Sequence, residues 1–101
     1  MRMSAGLEPP EPWFRPEPQL GRALVAEAHA EIGSSHELAG HALTPIVKCA
    51  GCDSVIFTVD DGAFALVHLT WAQHPEPDPW PETQRLGGFI ALESAIDNHQ
   101  H

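Results

Sequence analysis

Val55-Ile-Phe-Thr-Val59, then Asp60-Asp61-Gly62, then Ala63-Phe-Ala-Leu-Val-His-Leu-Thr-Trp71 places two runs of β-branched and aromatic residues around an Asp-Gly step. Such runs favour extended backbone, and Asp-Gly supplies the positive φ that a tight reversal needs, so the stretch predicts a β-hairpin. With a two-residue loop at Asp61-Gly62, Val55, Phe57, Val59, Phe64 and Leu66 share one face, and Ile56, Ala65, Val67, Leu69 and Trp71 share the other. Both faces are apolar. Each therefore needs cover, from a helix on one side and from proline-rich segments or a partner on the other.

Working outward, Pro45 to Cys49 reads as a preceding strand with Pro45 at its start, where a missing N–H is tolerated, and Ala50-Gly51 turns it into the hairpin. Thr83 to Leu86 adds a short edge strand. Upstream, Leu20, Leu24, Val25, Ala28 and Ile32 recur at helical spacing, with Arg22, Glu27 and Glu31 mostly on the other side. Pro18 suits the first turn of this helix and Gly33 its C-terminal cap. Ser34 and Glu37 have capping-box spacing, but Gly40 leaves room for only one turn. Phe89, Leu92 and Ile96 space a short final helix. The expected fold is α+β: an N-terminal amphipathic helix packed on a three- to four-stranded antiparallel β-meander, with a short C-terminal helix.

Residues 1–18 contain Pro9, Pro10, Pro12, Pro16 and Pro18 and read as an extended arm, leaving 19–98 as a single domain. Four more prolines, at 75, 77, 79 and 81, make a rigid loop around Trp80. The chain of 101 residues, 43% of them hydrophobic, suits one globular core. It shows neither an apolar run of the ~18 residues a membrane span needs nor the apolar stretch of a signal peptide, so a soluble cytoplasmic protein is expected. Five Lys and Arg against fourteen Asp and Glu give a formal charge of −9, which repels nucleic-acid backbones and favours a basic protein partner.

Cys49-Ala-Gly-Cys52 sets two thiols across a probable turn, the geometry of half a zinc knuckle and also of a strained disulfide. A zinc site needs two further ligands, for which His36 and His41 are the best placed. Reduced thiols packed as small hydrophobes, with no cofactor, are the expectation. A thioredoxin-like motif is disfavoured because that pair caps a helix, whereas strands flank this one. His68 sits mid-strand among apolar neighbours and reads as a hydrogen-bonded core histidine before it reads as a catalytic one. Ser54 and Thr70 lie near it, but no nucleophile elbow or phosphate loop accompanies them. Among the acids near the strand ends, Asp53, Asp60 and Asp61, the last two are explained by turn chemistry. Trp13, Phe14, Trp71 and Trp80 stand beside proline-rich segments, which hold aromatic rings at low entropic cost and make them candidate partner contacts, or equally pins of those segments to the core, the reading slightly preferred for Trp13 and Phe14.

Gly40, Asp53-Ser-Val-Ile-Phe57, Val67-His-Leu-Thr-Trp71, Trp80-Pro-Glu-Thr83 and the aromatic-led last helix together resemble a group of short uncharacterised bacterial proteins, over roughly His36 to Asp97. The Val-His-Leu-Thr-Trp strand is the most specific element, and the cysteine pair has no place in the pattern. The resemblance implies an α+β domain in a bacterial cytoplasm and transfers no catalytic residue. The expected function is a non-enzymatic acidic binding module, an immunity-type or other small inhibitor of a basic protein. The alternatives are a small zinc-binding protein using Cys49 and Cys52, or a hydrolase or ligand-binding domain centred on His68.

Overall fold

A computed structural model describes residues 12–34, 36–72 and 81–98. The order of elements is β1 (Trp13–Phe14), α1 (Pro18–Glu31), β2 (Leu43–Cys49), β3 (Ser54–Val59), β4 (Phe64–His68), β5 (Glu82–Leu86) and α2 (Phe89–Asn98). The five strands form one antiparallel sheet in sequence order, β1-β2-β3-β4-β5. The fold is thus α+β, with one more strand than the three or four expected. The extra strand comes from the proline-rich arm. Between Pro12 and Pro16, Trp13 and Phe14 pair with Cys49 and Lys48, and Ala50 N donates to Pro12 O at 2.8 Å. A two-residue edge strand is what proline on either side permits.

The hairpin forms where expected, but its loop is one residue longer. Val59 N donates to Ala63 O, and Gly62 N donates to Val59 O, both at 2.9 Å, so Asp60, Asp61 and Gly62 make a three-residue loop. Gly62 takes φ +91°, the left-handed position that follows a type I turn in this loop class. The extra residue moves every β4 side chain to the opposite face. Opposed pairs are Val55 with Val67, Phe57 with Ala65, Ile56 with Leu66 and Thr58 with Phe64. Val55, Phe57, Val59, Ala65, Val67 and Leu69 therefore share one face, and Ile56, Phe64 and Leu66 the other. The chain leaves the sheet after His68, so Trp71 lies on neither.

A helix covers each face. Leu24 and Ala28 of α1, both with no exposed surface, pack with Leu38 and Leu43 on the Val55–Phe57–Val67 face, and Leu20, Val25 and Ile32 flank them. Leu92 and Ile96 of α2 close the other face over Val47, Ile56 and Leu86, together with Trp13. The second layer is thus α2 together with Trp13 of the proline-rich arm, so proline-rich cover contributes there but a helix supplies most of it. Pro45 falls inside β2, not at its start. Its missing N–H is accommodated because the register shifts between Pro45 and Val47 and β1 extends over only the last two residues of β2. Helix α1 begins with Pro18 in its first turn and is capped at its C-terminus by Ile32, whose N–H donates to Ala28 O, one residue before the expected cap at Gly33.

Two substitutions test this arrangement by urea unfolding. Leu24→Ala is expected to cost about 2–5 kcal/mol, the range for emptying a fully buried leucine site. Gly62→Ala is expected to cost about 1–2 kcal/mol through its left-handed backbone alone, since a Cβ there meets no atom within 4 Å.

Candidate functional site

The antiparallel topology brings the β2–β3 turn, the C-terminal end of β4 and the N-terminal end of β5 to one end of the sheet. Cys49, Cys52, Asp53, Ser54, His68, Thr70, Trp71 and Thr83 all belong to these segments. The opposite end is electrostatically closed. There Asp60 Oδ1 meets His41 Nδ1 at 2.7 Å while its Oδ2 accepts Ala42 N at 3.0 Å. Asp61 Oδ1 accepts Ala63 N, and its Oδ2 accepts Arg85 Nη2 at 2.6 Å. Backbone N–H donors first, then His41 or Arg85, hold both carboxyls below the ordinary carboxylate value. The turn reading of Asp60 and Asp61 accounts for one bond of Asp61; the rest is tertiary.

At the open end, two buried polar side chains hold backbone. Glu31 has no exposed surface. Its Oε1 accepts Thr70 N at 2.9 Å and its Oε2 accepts Trp71 N at 2.6 Å. Burial raises the Glu31 pKa above its ordinary 4.5, a hydrogen bond with the neighbouring Glu27 carboxyl adds to the rise, and the two backbone donors oppose it. Leu24, Glu27, Ala28 and Glu31 are the buried residues of α1, spaced i, i+3, i+4, i+7. Glu27 and Glu31 thus lie on the buried face of α1 and not mostly on its polar side. The stripe that carries Leu24 and Ala28 runs straight through both glutamates, and that spacing was the available signal. His36, also buried, accepts Leu38 N at Nδ1 (3.0 Å), which places its proton on Nε2 to donate to Pro81 O (3.0 Å). Thr83 Oγ1 donates to the same carbonyl at 2.9 Å. Glu31 and His36, five residues apart, thereby fix the two flanks of segment 73–80.

Trp71 is the product of this bracing. It has φ +60°, the one non-glycine residue of positive φ among the described residues, a conformation that costs a bulky side chain of order 1–3 kcal/mol. Its indole Nε1 donates to Asp53 Oδ1 at 3.2 Å, and 38% of the residue remains exposed. The other aromatic candidates are placed differently. Trp13 is 3% exposed and belongs to the core under α2, so it is a packing residue and not an accessible contact. Phe14 is half-buried on the edge strand. Trp80 lies outside the described residues.

Next to Trp71, Ser54, His68 and Glu82 stand side by side on three successive strands. Ser54 Oγ lies 3.2 Å from His68 Nδ1, and Ser54, Leu66, His68, Glu82, Thr83 and Gln84 line a cavity of about 300 Å³. His68 is exposed at the strand end and is not a core histidine. The longer loop puts Val67, not His68, on the α1 face. Cys49 and Cys52 are not joined in a disulfide, and the first is buried and the second half-buried. His36 and His41 are not gathered to them: both His36 ring nitrogens and His41 Nδ1 have the partners just given. Among the described residues no three His, Cys, Asp or Glu side chains converge as a metal site, and no helix is long and apolar enough to cross a membrane.

No protein-family model, curated protein or solved structure matches the chain.

Replacing Glu31 by Gln puts an NH2 group against a backbone N–H and is expected to cost about 1–3 kcal/mol. The sign with pH follows from the raised pKa. A carboxyl that binds its proton more tightly when folded contributes stability fully present below 4.5, which is lost as the pH rises through the raised value. The unfolding free-energy gap between wild type and Glu31→Gln should therefore be widest at or below pH 4.5 and narrow above it, measured by denaturant melts across pH.

Proposed function

We propose that this protein is a non-enzymatic binding module, an inhibitor or immunity-type protein that docks a basic protein through the open end of its sheet. The observation that carries the reading is Trp71: a large aromatic side chain, 38% exposed, held in a left-handed backbone by a buried carboxyl that accepts two backbone bonds. Backbone strain concentrates where surrounding structure over-determines it, and such places are disproportionately functional. Trp is also the residue type most enriched among binding hot spots.

Charge supports the same reading. Of the five basic side chains, Lys48 is engaged with backbone carbonyls and Arg85 with Asp61. The net charge of −9 already counts these five basic side chains, and Asp53, exposed beside Trp71, contributes to the acidic excess. An acidic surface steers a basic partner in, and an aromatic anchor slows its departure. The His68 cavity supports a second reading, a small-ligand site lined by Ser54, His68 and Glu82.

The test compares wild-type and Trp71→Gly baits against the partner recovered from the native host. Glycine removes the ring while relieving the left-handed strain, so stability should move by less than about 1 kcal/mol. Affinity should fall tenfold or more, mostly through faster dissociation. Association of the wild type should slow as salt rises from about 0.05 to 0.5 M. An acidic partner, or affinity indifferent to both salt and Trp71, defeats the reading. A small ligand lost on His68→Gln with Trp71→Gly unchanged would favour the second.

A further inference from the structure

The turn between β2 and β3 carries chemistry that a binding module does not need. Cys49 closes β2 and Cys52 follows three positions later, with Ala50 and Gly51 forming the turn between them. A four-residue turn brings its end Cα atoms within about 7 Å, overlapping the roughly 4.4–6.8 Å range that a disulfide spans. The two thiols are unlike in access, since Cys49 has no exposed surface and Cys52 is half-buried. Lys48 reaches over the turn, and its Nζ donates to both Cys49 O and Cys52 O at 2.9 Å. A fixed ammonium is thereby pinned to the backbone of both cysteines.

We infer that Cys49 and Cys52 form a reversible dithiol–disulfide couple, in which Cys52 is the attacking thiol and Cys49 the resolving thiol, exchanging with low-molecular-weight disulfides. The order is set by access: an incoming disulfide meets Cys52 first, and only an intramolecular step reaches Cys49. Electrostatics agree with that assignment. Burial pushes the Cys52 thiol up, but hydrogen bonds from Ser54 and Cys49 and the nearby Lys48 charge outweigh it and hold Cys52 below the ordinary thiol value. Burial, followed by the hydrogen bond to Cys52, raises Cys49. The thiolate is thus favoured at Cys52 more than at Cys49, and Cys49 is the hydrogen-bond donor to it.

The exchange balances as follows. Cys52 thiolate attacks one sulfur of RSSR, the S–S bond breaks, and RS⁻ leaves. Cys49 then loses its proton and attacks the Cys52 sulfur of the mixed disulfide, expelling the second RS⁻. The protein gives up two electrons and two protons, and RSSR becomes two RSH. Excess RSH reverses both steps. The CxxC sequence lies here on a strand–strand turn, so the helix N-terminus that activates such pairs elsewhere is replaced by Lys48.

The probe is oxidised glutathione at a tenfold excess, followed by quenching with an alkylating agent and intact mass spectrometry. Wild type is expected to end with both thiols blocked and no glutathione attached, and to regain both on reduction with excess glutathione. Cys49→Ala should accumulate a stable mixed disulfide at Cys52, whereas Cys52→Ser should leave Cys49 unmodified in the folded protein. Lys48→Met should slow the first step by roughly threefold or more, through loss of the positive charge beside the thiolate. Should Cys49→Ala fail to fold, Cys52→Ser and Lys48→Met still decide the order of attack. Two free thiols in the wild type after equilibration, or glutathione persisting on wild-type Cys52, overturns the couple. None of these readouts involves the protein partner, so the couple and the binding reading fail separately.

Discussion

Gly62, at φ +91° in the loop joining β3 to β4, sets which side chains of β4 meet which layer of the molecule. With three loop residues, Ala65 and Val67 join Val55 and Phe57 under α1, while Phe64 and Leu66 join Ile56 under α2. A strand has a period of two, so a loop shorter by one residue would exchange these sets and turn His68 toward the α1 core. The same register lifts the chain off the sheet after His68, with Leu69 N donating to Asp53 O as the last link. Both cores and the position of Trp71 follow from that one turn.

The departure of the chain at residue 70 creates a second demand. Backbone N–H groups leaving a sheet beside a packed helix must find acceptors, because buried donors without them cost about as much as the bonds they forgo. Glu31 supplies both oxygens, one each to Thr70 and Trp71. Charge-assisted acceptors are stronger than neutral ones, which offsets part of the cost of placing a carboxyl where no solvent reaches it. His36 does the equivalent task for Pro81 O. Two polar side chains from the end of α1 and the turn after it thus hold the backbone of Thr70, Trp71 and Pro81, and they leave Trp71 exposed.

The two ends of the sheet are consequently unlike. At one end Asp60 and Asp61 are consumed by His41, Arg85 and backbone donors, and that end is structural. At the other, Trp71 with Asp53, the Ser54–His68–Glu82 row and the Cys49–Cys52 turn lie close together without the same closure. Loops at one end of a rigid scaffold are the usual place for recognition, since the scaffold positions them and their variation leaves the core intact.

The local patterns in the sequence determined the hairpin, both helices, the meander order and the acidic charge, because each depends on short-range periodicity or on composition alone. Leu24 and Ala28 were legible as core from helical spacing, and Cys49 and Cys52 as neighbours from their two-residue separation. Only the tertiary structure decided the loop length at Asp60–Gly62, since Asp-Gly suits both two- and three-residue loops. It alone recruited Trp13 into an edge strand, which required a partner strand more than thirty residues away. Glu27 and Glu31 sit on the buried stripe of α1 yet are acidic residue types, which a pattern of apolar and polar residues places toward solvent. The burial of Glu31 is stable because Thr70 and Trp71, some forty residues further on, bring backbone donors that no local sequence could announce.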